Sequence, residues 1–275
     1  MPHQAKPRIL IGVGGWTYDD WRGSFYPADL AQKRELEYMS RKLTSIEING
    51  TYYRSQTPES FAKWHAETPD GFVFAVKGPR FATNRRVLAE AGESIERFFA
   101  SGVLLLKEKL GPINWQFMPT KKFDPQDFDA FLRLLPKRLE GHKIRHAVEV
   151  RNASFKSPDF VALAREHEVG IVIAADSQYP QIADVTADFV YARIMGTKEK
   201  EPLGYSKEAL ESWVERARLW AEGGEPEDLE IAAQPASQRS GGRDVFLYVI
   251  SGFKARNPQA AMALIERVAR TTIAP

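Results

Sequence analysis

The chain has 275 residues, 43% hydrophobic and 11% aromatic, with 38 basic against 36 acidic side chains and no cysteine. A formal net charge of +2 excludes the basic excess of a dedicated polyanion binder. The apolar content excludes disorder over most of the chain, and the missing cysteines exclude disulfides, thiolate metal sites and a cysteine nucleophile.

The apolar stretch Ile9–Val13 is too short for a secretion signal or a membrane span, so the chain reads as cytoplasmic with no membrane partner. Eight short apolar runs follow one another with helix-like segments between: 8–14, 45–49, 72–77, 112–117, 146–151, 170–176, 189–195 and 244–250. A long loop rich in aromatics, 15–30, precedes a helix over 34–42. Thr57 then caps a helix over 59–67 with Pro58 at its first position, and a further helix is expected from Glu93 towards Leu110.

Asp124 and Ser157 give the same start signal, the first before Phe128, Phe131, Leu132 and Leu135 at helical spacing, the second before a helix over 160–167. Ser206 opens a helix whose apolar face is Leu210, Trp213, Val214, Ala217, Trp220 and Ala221. A polar excursion, 225–243, is expected at the N-terminal face before the last strand, and Asn257-Pro258-Gln259 opens the last helix. The pattern predicts an α/β fold of one domain over 1–275, a (β/α)8 TIM barrel closed by a parallel eight-stranded sheet, with an N-terminal tail at 1–7.

Such barrels carry their sites at the C-terminal ends of the strands. Side chains alternate along a strand, so Glu47 shares a face with Asn49 and Glu149 with Arg151. Helices cover the outer face of a parallel barrel, so these charges belong to the lumen, as do Lys77 and Arg193; Gln116 and Asp176 stand at strand ends. Unpaired buried charge is costly, so the set either pairs internally as a structural ion network or faces a wet pocket.

Lys77, Arg151 and Arg193 suit a phosphate or carboxylate, and Glu47, Glu149 or Asp176 suits general acid or base work. Trp16, Tyr18, Trp21, Tyr52 and Tyr53 fall in the first two strand-to-helix loops and read either as a stacking wall or as loop packing. No histidine falls at a strand's C-terminal end, which disfavours a zinc cluster. An oxygen-ligated Mg²⁺ on Glu47, Glu149 or Asp176 stays open, and no cofactor is assigned. The glycines at 12, 14 and 15 do not open a helix and are discounted as a dinucleotide loop.

The segments IGVGGW (11–16), WRGSFYP (21–27), EINGTYYR (47–54), FVFAVKGPR (72–80), EVRNASF (149–155), ADS (175–177) and TADFVYARIMG (186–196) resemble the YecE-like family, domain of unknown function 72. The resemblance implies a TIM barrel. It carries the family's glutamate and asparagine onto Glu47 and Asn49, its lysine onto Lys77, and its glutamate–arginine pair onto Glu149 and Arg151. Its aspartate matches Asp176 and its arginine Arg193. The chain departs from the pattern at Gly14, where the family has serine, at Phe117-Met118-Pro119, and at Ile250-Ser251, where it has two asparagines.

Three functions are expected in order. The first is an enzyme, a hydrolase, lyase or isomerase, acting on a small anionic substrate. Its catalytic residues would be Glu47, Glu149 and Asp176, and its binding residues Asn49, Tyr52, Lys77, Gln116, Arg151, Arg193 and Trp16. The second is a barrel that binds or processes nucleic acid, prompted by the aromatic wall and by Arg80, Arg85, Arg86, Lys121 and Lys122. The third is a non-catalytic binding protein. Glycosidase chemistry is disfavoured because strands four and seven offer Gln116 and Arg193 in place of two carboxylates.

Overall fold

A computed structural model describes residues 6–235 and 241–271. Residues 1–5 of the expected tail and 236–240 of the expected excursion lie outside them. Eight parallel strands close a barrel: β1 (Ile9–Gly14), β2 (Ser45–Ile48), β3 (Val73–Lys77), β4 (Leu110–Gln116), β7 (His146–Glu149), β8 (Gly170–Ala175), β9 (Phe189–Ile194) and β10 (Asp244–Val249). Closure is made by β1 against β10, with Ile9 opposite Val245 and Val13 opposite Val249. Strands β5 (Arg138–Leu139) and β6 (His142–Lys143) form a small antiparallel hairpin that the apolar pattern does not announce. Glu140 and Gly141 turn it with two positive φ angles, as a tight hairpin turn requires.

The described helices are α1 (Glu35–Ser40), α2 (Gly50–Tyr53), α3 (Pro58–Glu67), α4 (Arg80–Thr83), α5 (Gly92–Ala100), α6 (Pro125–Arg133), α7 (Pro158–Glu166), α8 (Lys207–Ala221) and α9 (Asn257–Thr271). The side chains of Thr57, Asp124, Ser157 and Ser206 each accept a backbone N–H at the start of their helix, so the capping signals place α3, α6, α7 and α8 correctly. The helix expected from Glu93 to Leu110 stops instead at Ala100. Gly102 has φ +96, with Pro58 packed against it where a side chain would stand, and a 3₁₀ stretch, kinked at Lys107, leads on to β4.

The strand–helix rhythm breaks after β8. No helix joins β8 to β9: residues 177–188 form neither helix nor strand, and Ile182, Ala183, Asp184 and Val185 among them are buried. Part of the polar excursion covers them. The Ala183 N–H donates to the Glu230 carbonyl at 2.9 Å, and the Asp184 carboxylate accepts the N–H groups of Ala232 and Ala233 at 2.6 and 3.0 Å. The excursion therefore reaches from the N-terminal face onto the flank and stands where a helix would.

Two cores result. Outer strand faces and helices enclose one, which includes Trp21, Trp115, Phe128, Phe131 and Trp220; strand residues of opposite phase fill the lumen with Leu10, Val73, Ala75, Val172, Tyr191, Phe246 and Tyr248. Above this apolar floor the lumen turns charged.

Candidate active site at the barrel mouth

The period-two rule brings Glu47, Lys77, Gln116, Glu149, Arg151 and Arg193 together, as expected. Arg193 is the hub. Its Nη1 donates to Glu149 Oε2 at 2.6 Å, its Nη2 donates to Glu47 Oε1 at 3.1 Å, and its Nε lies 3.1 Å from Glu47 Oε2. Glu47 and Glu149 are both fully buried and Arg193 almost so. Tyr191, one inward step before Arg193, donates its hydroxyl to Glu47 Oε2 at 2.5 Å. Asn114, one inward step before Gln116, directs Nδ2 at both glutamates, 3.5 and 3.3 Å away, while its Oδ1 is buried without a partner among the described residues.

Arg151 closes the cluster from above. Its Nε and Nη2 both donate to Glu149 Oε1, at 2.8 and 2.6 Å, Nη2 also donates to Gln116 Oε1 at 2.9 Å, and Nη1 donates to the Tyr179 hydroxyl at 3.2 Å. The guanidinium lies 4.2 Å from the centre of the Tyr179 ring. Lys77 Nζ donates to the same Gln116 oxygen at 2.5 Å and sits 5.5 Å from the centre of the Tyr52 ring.

Burial opposes charge on Glu149, but Arg193, Lys77 and Arg151 outweigh it and hold the carboxyl at about 2. Burial likewise opposes charge on Arg193, and Glu149 and Glu47 override it, raising its pKa. For Lys77 the balance goes the other way. Burial, reinforced by Arg193 and Arg151 against the pull of the two glutamates, lowers it to about 8. Burial and then the nearby Glu47 push the Tyr191 phenol well above its ordinary range, so it stays a donor.

Other expected residues are placed elsewhere. Asp176 is in phase with Ala174, but a left-handed φ of +54 turns it out of the lumen, where it is exposed and accepts the Tyr205 hydroxyl at 3.1 Å. Asp176 therefore stands apart from Glu47 and Glu149, contrary to the grouping expected from sequence. Asn49 is half-buried at the end of β2, with Nδ2 3.5 Å from the Glu47 carbonyl. Trp16 is half-buried edge-on to Trp64, with ring centres 5.2 Å apart. Trp21 is fully buried and donates Nε1 to the Lys254 carbonyl, so it belongs to the core and not to a stacking wall.

For the Mg²⁺ left open above, the residues do not assemble. Arg193 occupies the space between Glu47 and Glu149, and among the described residues no three His, Asp or Glu side chains converge. Among the nucleic-acid candidates, Lys121 donates to the Arg85 and Arg86 carbonyls and pairs with Asp127 at 3.1 Å, and Arg85 donates to the Phe81 carbonyl and to Ser94. These two cations brace a loop.

Sequence reasoning passed over Asn114, Tyr191 and Tyr179. The first two share the inward phase of residues that were singled out, so the same alternation finds them. Tyr179 reaches Arg151 from a loop, where no periodicity applies.

The molecule is thus a TIM barrel with a buried ionic cluster at the C-terminal ends of its strands. The chain belongs to the family described as "Protein of unknown function DUF72", which it matches over residues 10–275. It is 30% identical over 158 residues to the UPF0759 protein YunF of Bacillus subtilis, covering 55% of this chain and 54% of that protein. It is 26% identical over 147 residues to the UPF0759 protein YecE of Escherichia coli, covering 54% of this chain and 50% of that one. The chain thus spans about half the length of the curated relatives it matches. A crystal structure of a DUF72 family protein from Thermotoga maritima superposes with a TM-score of 0.70 at 22% identity, covering 96% of this chain and 99% of that one, a likeness of fold. Among the described residues no helix is long and apolar enough to cross a membrane.

Proposed function

We propose that the protein is an enzyme acting on a small anionic, phosphorylated or carboxylated, molecule held at the barrel mouth by Lys77 and Arg151. One observation carries this reading: Lys77 Nζ and Arg151 Nη2 converge on the single neutral oxygen of Gln116, 2.5 and 2.9 Å away. The cluster holds three cations against two carboxylates: Glu47 is committed to Arg193, and Glu149 is shared between Arg193 and Arg151. An anion arriving between Lys77 and Arg151 supplies the missing negative charge and replaces a weak acceptor with a strong one.

In this reading Glu47 and Glu149 fix Arg193 and Arg151 and set the field of the site. Lys77 is the proton-carrying group that reaches the mouth. In the free protein a lysine at about 8 gives or takes a proton within the working range of general acid–base catalysis, which suits a hydrolase, lyase or isomerase alike. Bracing of Arg85 and Lys121 within a loop removes two of the cations that the nucleic-acid reading uses.

The test is thermal unfolding of the protein and of its Lys77→Met variant against inorganic phosphate, sugar phosphates and small carboxylates. A ligand at a hundred times its dissociation constant stabilises by about 2.7 kcal/mol, or about 5 °C in a domain of this size. Shifts that vanish in Lys77→Met support the proposal; shifts that persist there, or none with any anion, refute it.

A further inference from the structure

Two large aromatic side chains stand in the open on the rim beside this mouth. Tyr53, at the end of α2, and Phe81, in α4, are each 62% exposed. Arg80 lies between them, its guanidinium carbon 6.0 Å from the centre of the Tyr53 ring and 5.6 Å from that of Phe81. Single exposed apolar residues are ordinary on a protein surface, but two flat rings sharing one cation make a stacking shelf.

The shelf is tied to the anion site. Lys77 Nζ is 5.5 Å from the Tyr52 ring, and that ring meets Tyr53 edge-on with centres 5.1 Å apart, so two ring-widths at most separate the ammonium from the exposed phenol. Phe81 also forms one wall of a cavity of about 250 Å³ lined by Ser55, Gln56, Ser94 and Phe98. Thr51, which lines the same cavity, donates its hydroxyl to the Lys77 carbonyl at 2.7 Å and so couples the cavity wall to the strand that carries the lysine. The lining offers an aromatic face together with hydroxyls and an amide that can both give and accept hydrogen bonds. A heterocycle's edge uses both, whereas a plain hydrocarbon ring uses neither.

We propose that the substrate is a nucleotide, with its phosphate between Lys77 and Arg151 and its base on the Tyr53–Phe81 shelf. The proposal rests on the anion reading above and narrows it. It separates the protein's ligand from simple sugar phosphates, which have no aromatic face to stack, and from long nucleic acid, which needs a continuous basic track.

The experiment is calorimetric titration of adenosine monophosphate, uridine monophosphate, ribose 5-phosphate and adenosine into the protein and into a Tyr53→Ser, Phe81→Ser double variant. Both positions are exposed, and circular dichroism checks that the variant is folded. The expected result is at least tenfold tighter binding of one nucleotide than of ribose 5-phosphate, with that advantage lost in the variant and ribose 5-phosphate unaffected. Equal affinity for nucleotide and ribose 5-phosphate overturns the shelf while leaving the anion site standing. Adenosine binding as tightly as its monophosphate overturns the phosphate placement, and with it the nucleotide assignment. A nucleotide advantage that survives in the variant places the base elsewhere and overturns the proposal; binding of none of the four overturns both readings.

Discussion

The ammonium of Lys77 is hydrogen-bonded to the amide oxygen of Gln116, at 2.5 Å, and not to either of the glutamates in its cluster. A buried cation that rests on a neutral acceptor is poorly compensated, and its lowered pKa follows from that. The first consequence is a stability that depends on alkaline pH. The folded-state value of about 8 lies below the unfolded reference of 10.5, so between these values the unfolded chain binds more protons. The Lys77 contribution is fully present above the unfolded value and is lost as pH falls through about 8. Urea unfolding of the protein and of Lys77→Met at pH 7 and pH 10 should show the wild type gaining on the variant at the higher pH; a constant difference would contradict the assigned shift.

Removing one carboxylate of the hub leaves Arg193 and Arg151 under-compensated in a buried site. Glu149→Gln keeps the shape and loses the charge, and it should cost about 3–5 kcal/mol of stability, the usual effect of breaking a buried pair from one side. Chemical denaturation measures this directly, and a change below about 1 kcal/mol would mean the cluster is wetter than its burial implies.

His146 offers an acid-side test away from the mouth. Its Nδ1 accepts the Trp115 Nε1 proton at 3.1 Å and its Nε2 lies 2.9 Å from the Pro136 carbonyl, so both ring nitrogens are satisfied only by the neutral tautomer protonated on Nε2. Burial lowers its pKa from 6.5 to about 4. The folded value is depressed, so its contribution is present above the unfolded value and lost as pH falls through about 4. Stability should drop between pH 6.5 and 4 more steeply in the wild type than in His146→Gln, read from midpoint temperatures across that range; parallel curves would refute the assignment.

Gly14 and Ile250 are neighbours across the closure of the barrel. A Cβ built on Gly14 stands 2.9 Å from Ile250 Cδ1 and 2.6 Å from Asn49 Nδ2. The two positions at which the resemblance leads one to expect polar residues therefore meet at one spot, with the isoleucine taking space that a serine at position 14 would need. Gly14→Ser should destabilise by about 1–3 kcal/mol, and a double-mutant cycle with Ile250→Ala should recover at least about 0.5 kcal/mol of it. Strict additivity would show that the two positions do not compete.

Much of the barrel was legible because alternation and capping are local signals. Glu47 and Glu149 could be turned inward from sequence because an outward charge would lie under a helix, and the inward turn holds. Asp176 breaks the same rule because alternation ends with the strand, and one left-handed residue reverses the side chain. The missing helix after β8 was not legible, since its place is taken by residues 229–234, more than forty positions further along the chain, and no local pattern announces such a substitution. The expected aromatic wall is split for a related reason: Trp21 folds back into the core and Tyr52 is buried beside Lys77, while Trp16 and Tyr18 are half-buried and Tyr53 stays exposed.

In the proposed site an anion binds against protonated Lys77. The most direct measurement is calorimetric titration of ribose 5-phosphate at pH 8.5 in two buffers of different ionisation heat, with Lys77→Met alongside. The phosphate is fully ionised at that pH, its second pKa being about 6, so any proton exchanged comes from the protein. The expected result is binding with net proton uptake in the wild type, as the anion draws the lysine back to its charged form, and weakened binding with no such uptake in the variant. No binding, or binding with neither proton uptake nor sensitivity to Lys77→Met, would contradict it.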